Sequence, residues 1–386
     1  MKTKLSVSKL ITPARAIQNG AVIWDDEGRL LFCGAAENSP PISNSCIELS
    51  GFGAAPGLID IHVHGGYGIE FGHGDIRRNL EIYSEWVARF GVTGFLITLS
   101  GPDSRFICHA IKSYVPLLSG HFNGAQPLGF HLEGPFLNPK KHGAFNPDWL
   151  RQPTIDEMQL YEIAAKGWVK QVSIAPELDG ADALADYLKE RGICVALAHS
   201  TADYKTASRA LNGSFSHITH TFNTQSLFHH RNPGVVGAVL TSKSATAELI
   251  ADGFHVHPAV MRILLKCIGA KRVVLITDAM PGAGLPDGSY DLVGRLVNVK
   301  DGKAFLPDGT IAGSTATLDA CVRNMIDLVE VSLKDAIQMA SMNPARVVGM
   351  GDHIGNLSPG KNADIIIFDN DFKINKTFIK GNEFLF

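Results

Sequence analysis

From residue 56 onward the chain alternates short apolar runs with segments of helical spacing, and few architectures accept that pattern. GFLITLS (94–100), PLGFHLEG (127–134), VKQVSIAPE (169–177), GICVALAHS (192–200), GSFSHITH (213–220), ATAELIADG (246–254) and KRVVLITDAM (271–280) read as buried parallel strands. Strands apolar on both faces belong to a sheet covered by helices, since a half-solvated sheet alternates apolar with polar. RRNLEIYSEWVARFG, TIDEMQLYEIAAKGW, GADALADYLKERG, TADYKTASRALNG and HPAVMRILLKCIG have the spacing of those covering helices. With 59–64 as a first strand and TIAGS as a late one, about eight β–α steps result, the size of a TIM-like (β/α)8 barrel. A doubly wound sheet is the alternative, but it lacks a GxGxxG and would need more length per unit.

The two ends differ in texture. Residues 1–55 are short polar–apolar alternations broken by turns, DDEG among them, and HIGNLSPGKNADIIIFDNDFKINKTFIKGNEFLF returns to that pattern. Short strands cannot bury their faces alone. Residues 1–55 and 356–386 are therefore expected to form one small β-sandwich domain, and 56–355 the barrel. Residues 281–310 read as an insertion of turns and hairpin, long enough to be an active-site wall or lid.

Composition narrows the function. With 45 % apolar and 19 % charged residues the chain has a sizeable core, and its 35 basic and 38 acidic residues leave no excess of positive charge for a nucleic acid. The six cysteines are scattered, without CxxC, and read as reduced and often buried. The start shows no unbroken apolar signal region, and no later run approaches the roughly 18 apolar residues of a membrane span. The expectation is a cytoplasmic protein with no membrane partner.

Polar residues gather where the strands stop. They are His62 and His64 in IDIHVHGG, Glu133 in FHLEGP, His199 in ALAHS, His217 and His220 in SHITH, and Asp278 in LITDA. In a barrel such positions meet at one mouth. One strand-end His or Glu is an ordinary cap, but five strand ends supplying His, Glu, His, His and Asp describe a metal hydrolase. Glu133, His199 and His220 are three ligands of the kind a catalytic divalent ion takes, with a position left for water. Asp278 can take a proton from that water and pass it to a leaving group. Within a strand, His62 and His64 face the same way, roughly 6–7 Å apart. They are candidates for a second ion, with Glu133 then bridging. Asp60 is a weaker candidate that orients a neighbour or caps a turn. One or two ions are expected, Zn or Fe first, with Co and Mn also suited to imidazole and carboxylate.

A second group points outward to a substrate. HTFNTQSLFHHRNPG carries Asn223, His229, His230 and Arg231 just beyond His220, and a guanidinium fork suits phosphate or carboxylate. ADGFHVHP adds Asp252, His255 and His257, where His255 is an anion contact, a helix cap or simply buried. In the TIAGS turn, Gly313 leaves backbone N–H groups open to a substrate oxygen.

These residues resemble the amidohydrolase superfamily and, within it, the N-acetylglucosamine-6-phosphate deacetylase family. The matching pieces are PGLIDIHVHGGYG, GFHLEGPFLNPKKHGAFNP, ALAHSTADY, SHITHTFNTQSLFHHRNPGVVGA, ELIADGFHV, LITDAM, GTIAGSTATLD and SMNPARVVGMGDHIGNLSPGKNADIIIFD, covering 55 to 370 nearly end to end. The HxH strand and the tail mark the superfamily. HLEGPF, the HTFN…HHR-PG loop and ADGxH together mark the deacetylases.

The resemblance implies hydrolysis of the acetamide of N-acetyl-D-glucosamine 6-phosphate, with Glu133, His199 and His220 as main metal ligands and Asp278 as acid/base. It places His62 and His64 at positions that bind a second metal in some members. Asn223, Thr224, Arg231 and His255 fall at substrate contacts, and Ala312, Gly313 and Ser314 in a loop that closes on the sugar. It further implies a homodimer, with His255 contributed to the neighbouring active site. Three departures fall on the sugar pocket. Phe145 stands where the family has His, with His142 three residues earlier; Thr224–Gln225 replaces Ala-Met; and AHSTA replaces GHT-A. A related substrate such as N-acetylgalactosamine 6-phosphate is therefore the alternative. A cyclic amidase of the dihydroorotase kind would use a carboxylated Lys, and no Lys ends a strand where Glu133 does. A catalytically dead scaffold would lack a ligand or the base, and none is missing.

Overall fold

The computed structural model describes residues 1–12, 14–41 and 45–385. Eight parallel strands pair in chain order: β1 Leu58–Asp60, β2 Val92–Leu99, β3 Gln126–Glu133, β4 Val169–Ile174, β5 Cys194–Leu197, β6 His217–Ile218, β7 Thr246–Ile250 and β8 Val273–Ile276. β1 and β8 are joined just past their ends. The Asp278 N–H donates to the His62 carbonyl and the His64 N–H to the Ala279 carbonyl, each at 2.9 Å. Asp60 reinforces the seam, accepting from the Thr277 hydroxyl at 2.5 Å and the Thr277 N–H at 3.3 Å. Closing the barrel thus lays His62, His64 and Asp278 side by side.

Several strands stop earlier than the apolar runs suggest. His62 and His64 lie beyond β1, and β6 is two residues long. The cause is local: His199, His220 and Asp278 have φ of 41°, 26° and 51°, left-handed backbone that leaves the ladder. TIAGS is not a barrel strand; it meets the seam through a single bridge between Ala279 and Ser314.

The period-2 alternation of each strand sorts its side chains. Phe95, Ile97, Leu132, Val172, Leu197, Leu249 and Leu275 join the helices in one continuous core. Phe95 is fully buried, and truncating such a ring to Ala costs about 3–5 kcal/mol. The alternate positions turn inward and many are polar: Thr98, His131, Gln171, Ser173, His217 and Glu248 are all buried. Their partners are one another, as where His131 meets Thr98 at 3.3 Å and Ser173 at 2.8 Å. Leaving such a group unpaired costs about 1–3 kcal/mol, so the pairing is part of the fold.

Helix starts follow the local sequence. Asp75, Asp103 and Asp203 cap the helices Ile76–Ala88, Ser104–Leu118 and Tyr204–Asn212 through side-chain oxygens, each cap worth about 1 kcal/mol. Among the described residues no helix is long and apolar enough to cross a membrane.

Both chain ends meet in a separate seven-stranded sheet, in the order Asn382–Phe384, Ile374–Ile379, Ile365–Phe368, Ser45–Pro56, Lys2–Ile11, Ala16–Asp25 and Leu30–Ala35. The DDEG turn joins two of these strands. Its Gly28 has φ 72°, and a Cβ there would lie 2.0 Å from the Lys380 carbonyl oxygen, so the close approach of the two chain ends requires glycine. Residues 281–310 form a three-stranded sheet, Gly288–Leu292, Arg295–Lys300 and Lys303–Phe305, packed against Leu137, Phe145 and Met280. All six cysteines are free thiols; Cys194 and Cys321 are buried, Cys33 and Cys108 half-buried, and Cys46 and Cys267 exposed.

Candidate active site

Glu133 ends β3 and places its carboxylate among four imidazoles. Its Oε1 lies 2.9 Å from His220 Nε2 and 3.3 Å from His199 Nε2, while its Oε2 lies 3.1 Å from His62 Nε2 and 2.9 Å from His64 Nε2. Asp278 Oδ1 stands 3.5 Å from His62 and 3.4 Å from His64. Two donor sets result, Glu133–His199–His220 and His62–His64–Asp278, each with its ligand atoms within 4.8 Å of one another. One oxygen of Glu133 faces each set.

The chemistry of the donors fits a divalent ion. The Nδ1–H of His199 donates to the Lys141 carbonyl at 2.6 Å, so its Nε2 presents a lone pair. That nitrogen lies 3.1 Å from His220 Nε2, and both face an acceptor-only carboxylate. Lone pairs so aimed require a proton or a cation between them, and nitrogen with carboxylate oxygen suits a borderline ion.

Without an ion, protons fill that place. Burial opposes charging His62, yet the charges of Glu133, Glu248 and Asp278 outweigh it and hold its pKa well above the usual histidine value. Burial likewise opposes charging His64, but the hydrogen bonds it donates to Asp278 and Glu133 and their charges push it up to about 9. Burial raises Asp278, but the neighbouring His62 and His64 outweigh it and hold this carboxyl below its ordinary range.

A cavity of about 250 Å³ opens over the cluster. His64, Glu133, His199, His220 and Asp278 form its floor; Asn223, Thr224, His255, Phe145 and Gly313 line it higher up, with Leu292, Val293 and Ile311 from the hairpin side. Asp278 is 13 % exposed, against 2 % for Glu133, and so is the more open carboxylate of the two.

Other expected contacts fall elsewhere. Arg231 is exposed on its loop, is not among the residues that line the cavity, and donates to His230 Nε2 at 2.7 Å. His255 lines the cavity of its own chain and also the neighbouring apolar groove, and Asp252 holds its ring at 2.6 Å. In the TIAGS turn only Gly313 of the three small residues reaches the cavity; its φ is 62°, and a Cβ would meet the Asp278 carbonyl at 3.1 Å. Ala312 and Ser314 are buried, and their N–H groups already donate to the Ala304 and Asp278 carbonyls, so they are not open to a substrate oxygen. His142 does not line the cavity; its Nδ1 donates to the Phe145 carbonyl at 3.1 Å, and Phe145 packs 5.3 Å from the His199 ring. Gln225 turns inward and donates to the Thr219 carbonyl at 3.1 Å. Asp60 is a member of neither donor set; it holds the seam and accepts from the His62 N–H at 3.4 Å, and burial pushes its pKa up to about 7 against the hydrogen bonds it accepts from Thr277 and His62.

Glu248 was not singled out from the sequence. It is fully buried on β7 and accepts from the Nδ1–H of His62 at 2.9 Å and the His220 N–H at 2.9 Å. The signal was a carboxylate inside the run TAELI, since a charge at a buried strand position must find partners.

A parallel barrel with adjoining nitrogen–oxygen donor sets at its mouth defines a class, and residues 54–384 match the amidohydrolase family. The chain belongs to that family and, within it, to the N-acetylglucosamine-6-phosphate deacetylases. It is 34 % identical over 376 residues to the N-acetylglucosamine-6-phosphate deacetylase of Bacillus subtilis, covering 97 % of this chain and 94 % of that one. It is 37 % identical over 359 residues to the N-acetylgalactosamine-6-phosphate deacetylase of Escherichia coli O157:H7, covering 93 % and 95 %. A solved structure of a Mycobacterium smegmatis N-acetyl-D-glucosamine-6-phosphate deacetylase mutant, in complex with N-acetyl-D-glucosamine-6-phosphate, superposes with a TM-score of 0.92 at 28 % identity, covering 100 % of both chains.

Proposed function

We propose that this protein hydrolyses the acetamide of N-acetyl-D-glucosamine 6-phosphate to D-glucosamine 6-phosphate and acetate. The observation that carries the reading is Asp278, whose carboxylate borders the cavity and stands 3.5 Å from His62 and 3.4 Å from His64, both of which also meet Glu133. Glu133, His199 and His220 would hold one divalent ion, and His62 and His64 a second. Such an ion, when bound, supplies Lewis acidity toward the acetamide carbonyl and makes water more acidic. Asp278 accepts the proton of the attacking water and returns it to the departing amine nitrogen. Phe145, Leu292 and Val293 give one side of the cavity an apolar lining for the sugar ring, while Asn223, Thr224 and His255 offer polar contacts.

The reading extends to a homodimer in the cytoplasm. A groove of about 860 Å³ beside the Arg231 loop is lined by Leu227, Phe228, Val236, Leu240 and Ile263, with Leu227 82 % and Phe228 58 % exposed. A second copy seated there would cover this apolar surface and bring Arg231 toward the partner's cavity, where its fork suits the 6-phosphate. Residues 1–55 with 356–386 then act as an accessory domain to the catalytic 56–355, supported by the separate sheet.

The second reading, N-acetylgalactosamine 6-phosphate, is favoured by the E. coli relative and by the apolar Phe145. The two are separated by measuring acetate release from each sugar phosphate. The first reading expects the higher kcat/KM on the glucosamine compound; a higher value on the galactosamine compound selects the second.

A further inference from the structure

We propose that Glu248 is the positioning residue of this centre, fixing the ring of His62 and the backbone of His220 so that both donor sets face the cations. The inference rests on the metal-dependent reading above. Glu248 lies at the middle of β7, below the donor sets, and contributes to neither. Its Oε2 receives the His62 Nδ1–H and the His220 N–H, each at 2.9 Å; its Oε1 receives Gln171 Nε2 at 2.8 Å and His217 Nε2 at 3.1 Å. Four donors from separate parts of the barrel saturate one carboxylate.

An ionised carboxylate only accepts, so His62 must carry a proton on Nδ1 and turn Nε2 toward Glu133 and Asp278. His199 obtains the same orientation from the Lys141 carbonyl. The buried Nδ1 of His220 has no such partner, and for that residue the Glu248 bond instead secures a backbone held at φ 26°. One carboxylate therefore steadies a ligand in each set.

Glu248→Gln places an amide NH2 against groups that are themselves donors. Relief comes when His62 moves its proton to Nε2, the nitrogen meant for the ion. Groups that orient metal-bound histidines typically contribute ten- to hundred-fold in affinity.

The test is competition for Zn²⁺ between a chelator and the folded protein, parent against Glu248→Gln. It is paired with ¹⁵N NMR of the histidine rings and with circular dichroism to confirm cooperative folding. We expect about ten- to hundred-fold weaker Zn²⁺ binding in the variant and, in the Zn²⁺-loaded parent, a His62 ring protonated on Nδ1. A merely structural role would lower the melting temperature and leave the affinity of the folded fraction unchanged. Equal affinity in parent and variant overturns the inference. Should the variant not fold, the parent spectrum decides alone, since a His62 proton on Nε2 contradicts it. A parent that binds no divalent ion fails the metal-dependent reading itself.

Discussion

At the floor of the cavity, Glu133 is met by four imidazoles and almost closed to solvent, and the rings of His62 and His199 are held by further bonds to Glu248 and the Lys141 carbonyl. At the rim, Arg231 is exposed and donates to His230 and His229, while Leu227 and Phe228 beside it face outward. The floor is closed by bonds within one chain; the rim faces solvent. A buried cluster of charges must be satisfied internally or it destabilises the fold, so its geometry is fixed by folding. An exposed loop carries no such demand, since water satisfies its polar groups.

The largest expected effect comes from breaking the floor. His199→Ala or His220→Ala should yield folded protein with far less bound metal and turnover at background, measured by elemental analysis and acetate release. Full metal and activity in both variants would remove the donor assignment. Asp278→Asn is the sharper probe, since it removes a proton carrier and leaves Glu133, His199 and His220 in place. Its kcat should fall by about 10² or more across neutral pH, with metal at the Glu133 set retained; a parental kcat would assign the proton transfer to another group.

Breaking the rim should cost less and cost it selectively. Arg231→Ala should lower kcat/KM by about ten- to hundred-fold for the phosphorylated sugar, the value of a charged hydrogen bond, and change the unphosphorylated sugar little. Equal losses on both would remove the phosphate role. Mixed dimers of Arg231→Ala and Asp278→Asn protomers should recover activity, because one cavity would then combine an intact Asp278 with an Arg231 from the partner. Confirmed mixed dimers no more active than either parent variant would place Arg231 outside the partner's site.

The smallest effect is a pH dependence confined to the floor. In metal-free protein the raised pKa values of His62 and His64, the latter about 9, stabilise the fold fully below the unfolded value near 6.5. That contribution is lost as pH rises from about 6.5 through 9, on the order of a few kcal/mol. The melting temperature of metal-free protein should therefore fall over this window. The metal-loaded protein, with ions in the protons' place, should show a flatter profile. A profile equally flat without metal would show that these histidines are not charged.

The same contrast explains what was legible in the sequence. Apolar runs announced the barrel, and strand-end His62, His64, Glu133, His199, His220 and Asp278 announced its floor, because both depend on local pattern and chain order. Glu248 and Asp60 were harder to read. Their roles lie in bonds to residues far along the chain, Asp60 to Thr277 and Glu248 to His62, which no local spacing displays. Ala312 and Ser314 looked open because glycine sits between them, but the fold had already used their N–H groups. His255 lines the cavity of its own chain, whereas Arg231 lies on an exposed loop outside it. Where a loop side chain comes to rest depends on the path of its loop, a property outside the reach of spacing.

The central claim, metal-dependent deacetylation by this floor, is tested most directly by following acetate release from N-acetyl-D-glucosamine 6-phosphate. The protein is first stripped by a chelator, then supplied with Zn²⁺ in steps up to two equivalents per chain. The account predicts no release from the stripped protein and recovery that saturates by the second equivalent. Full release by protein confirmed to be metal-free, or none at any metal level, would contradict it.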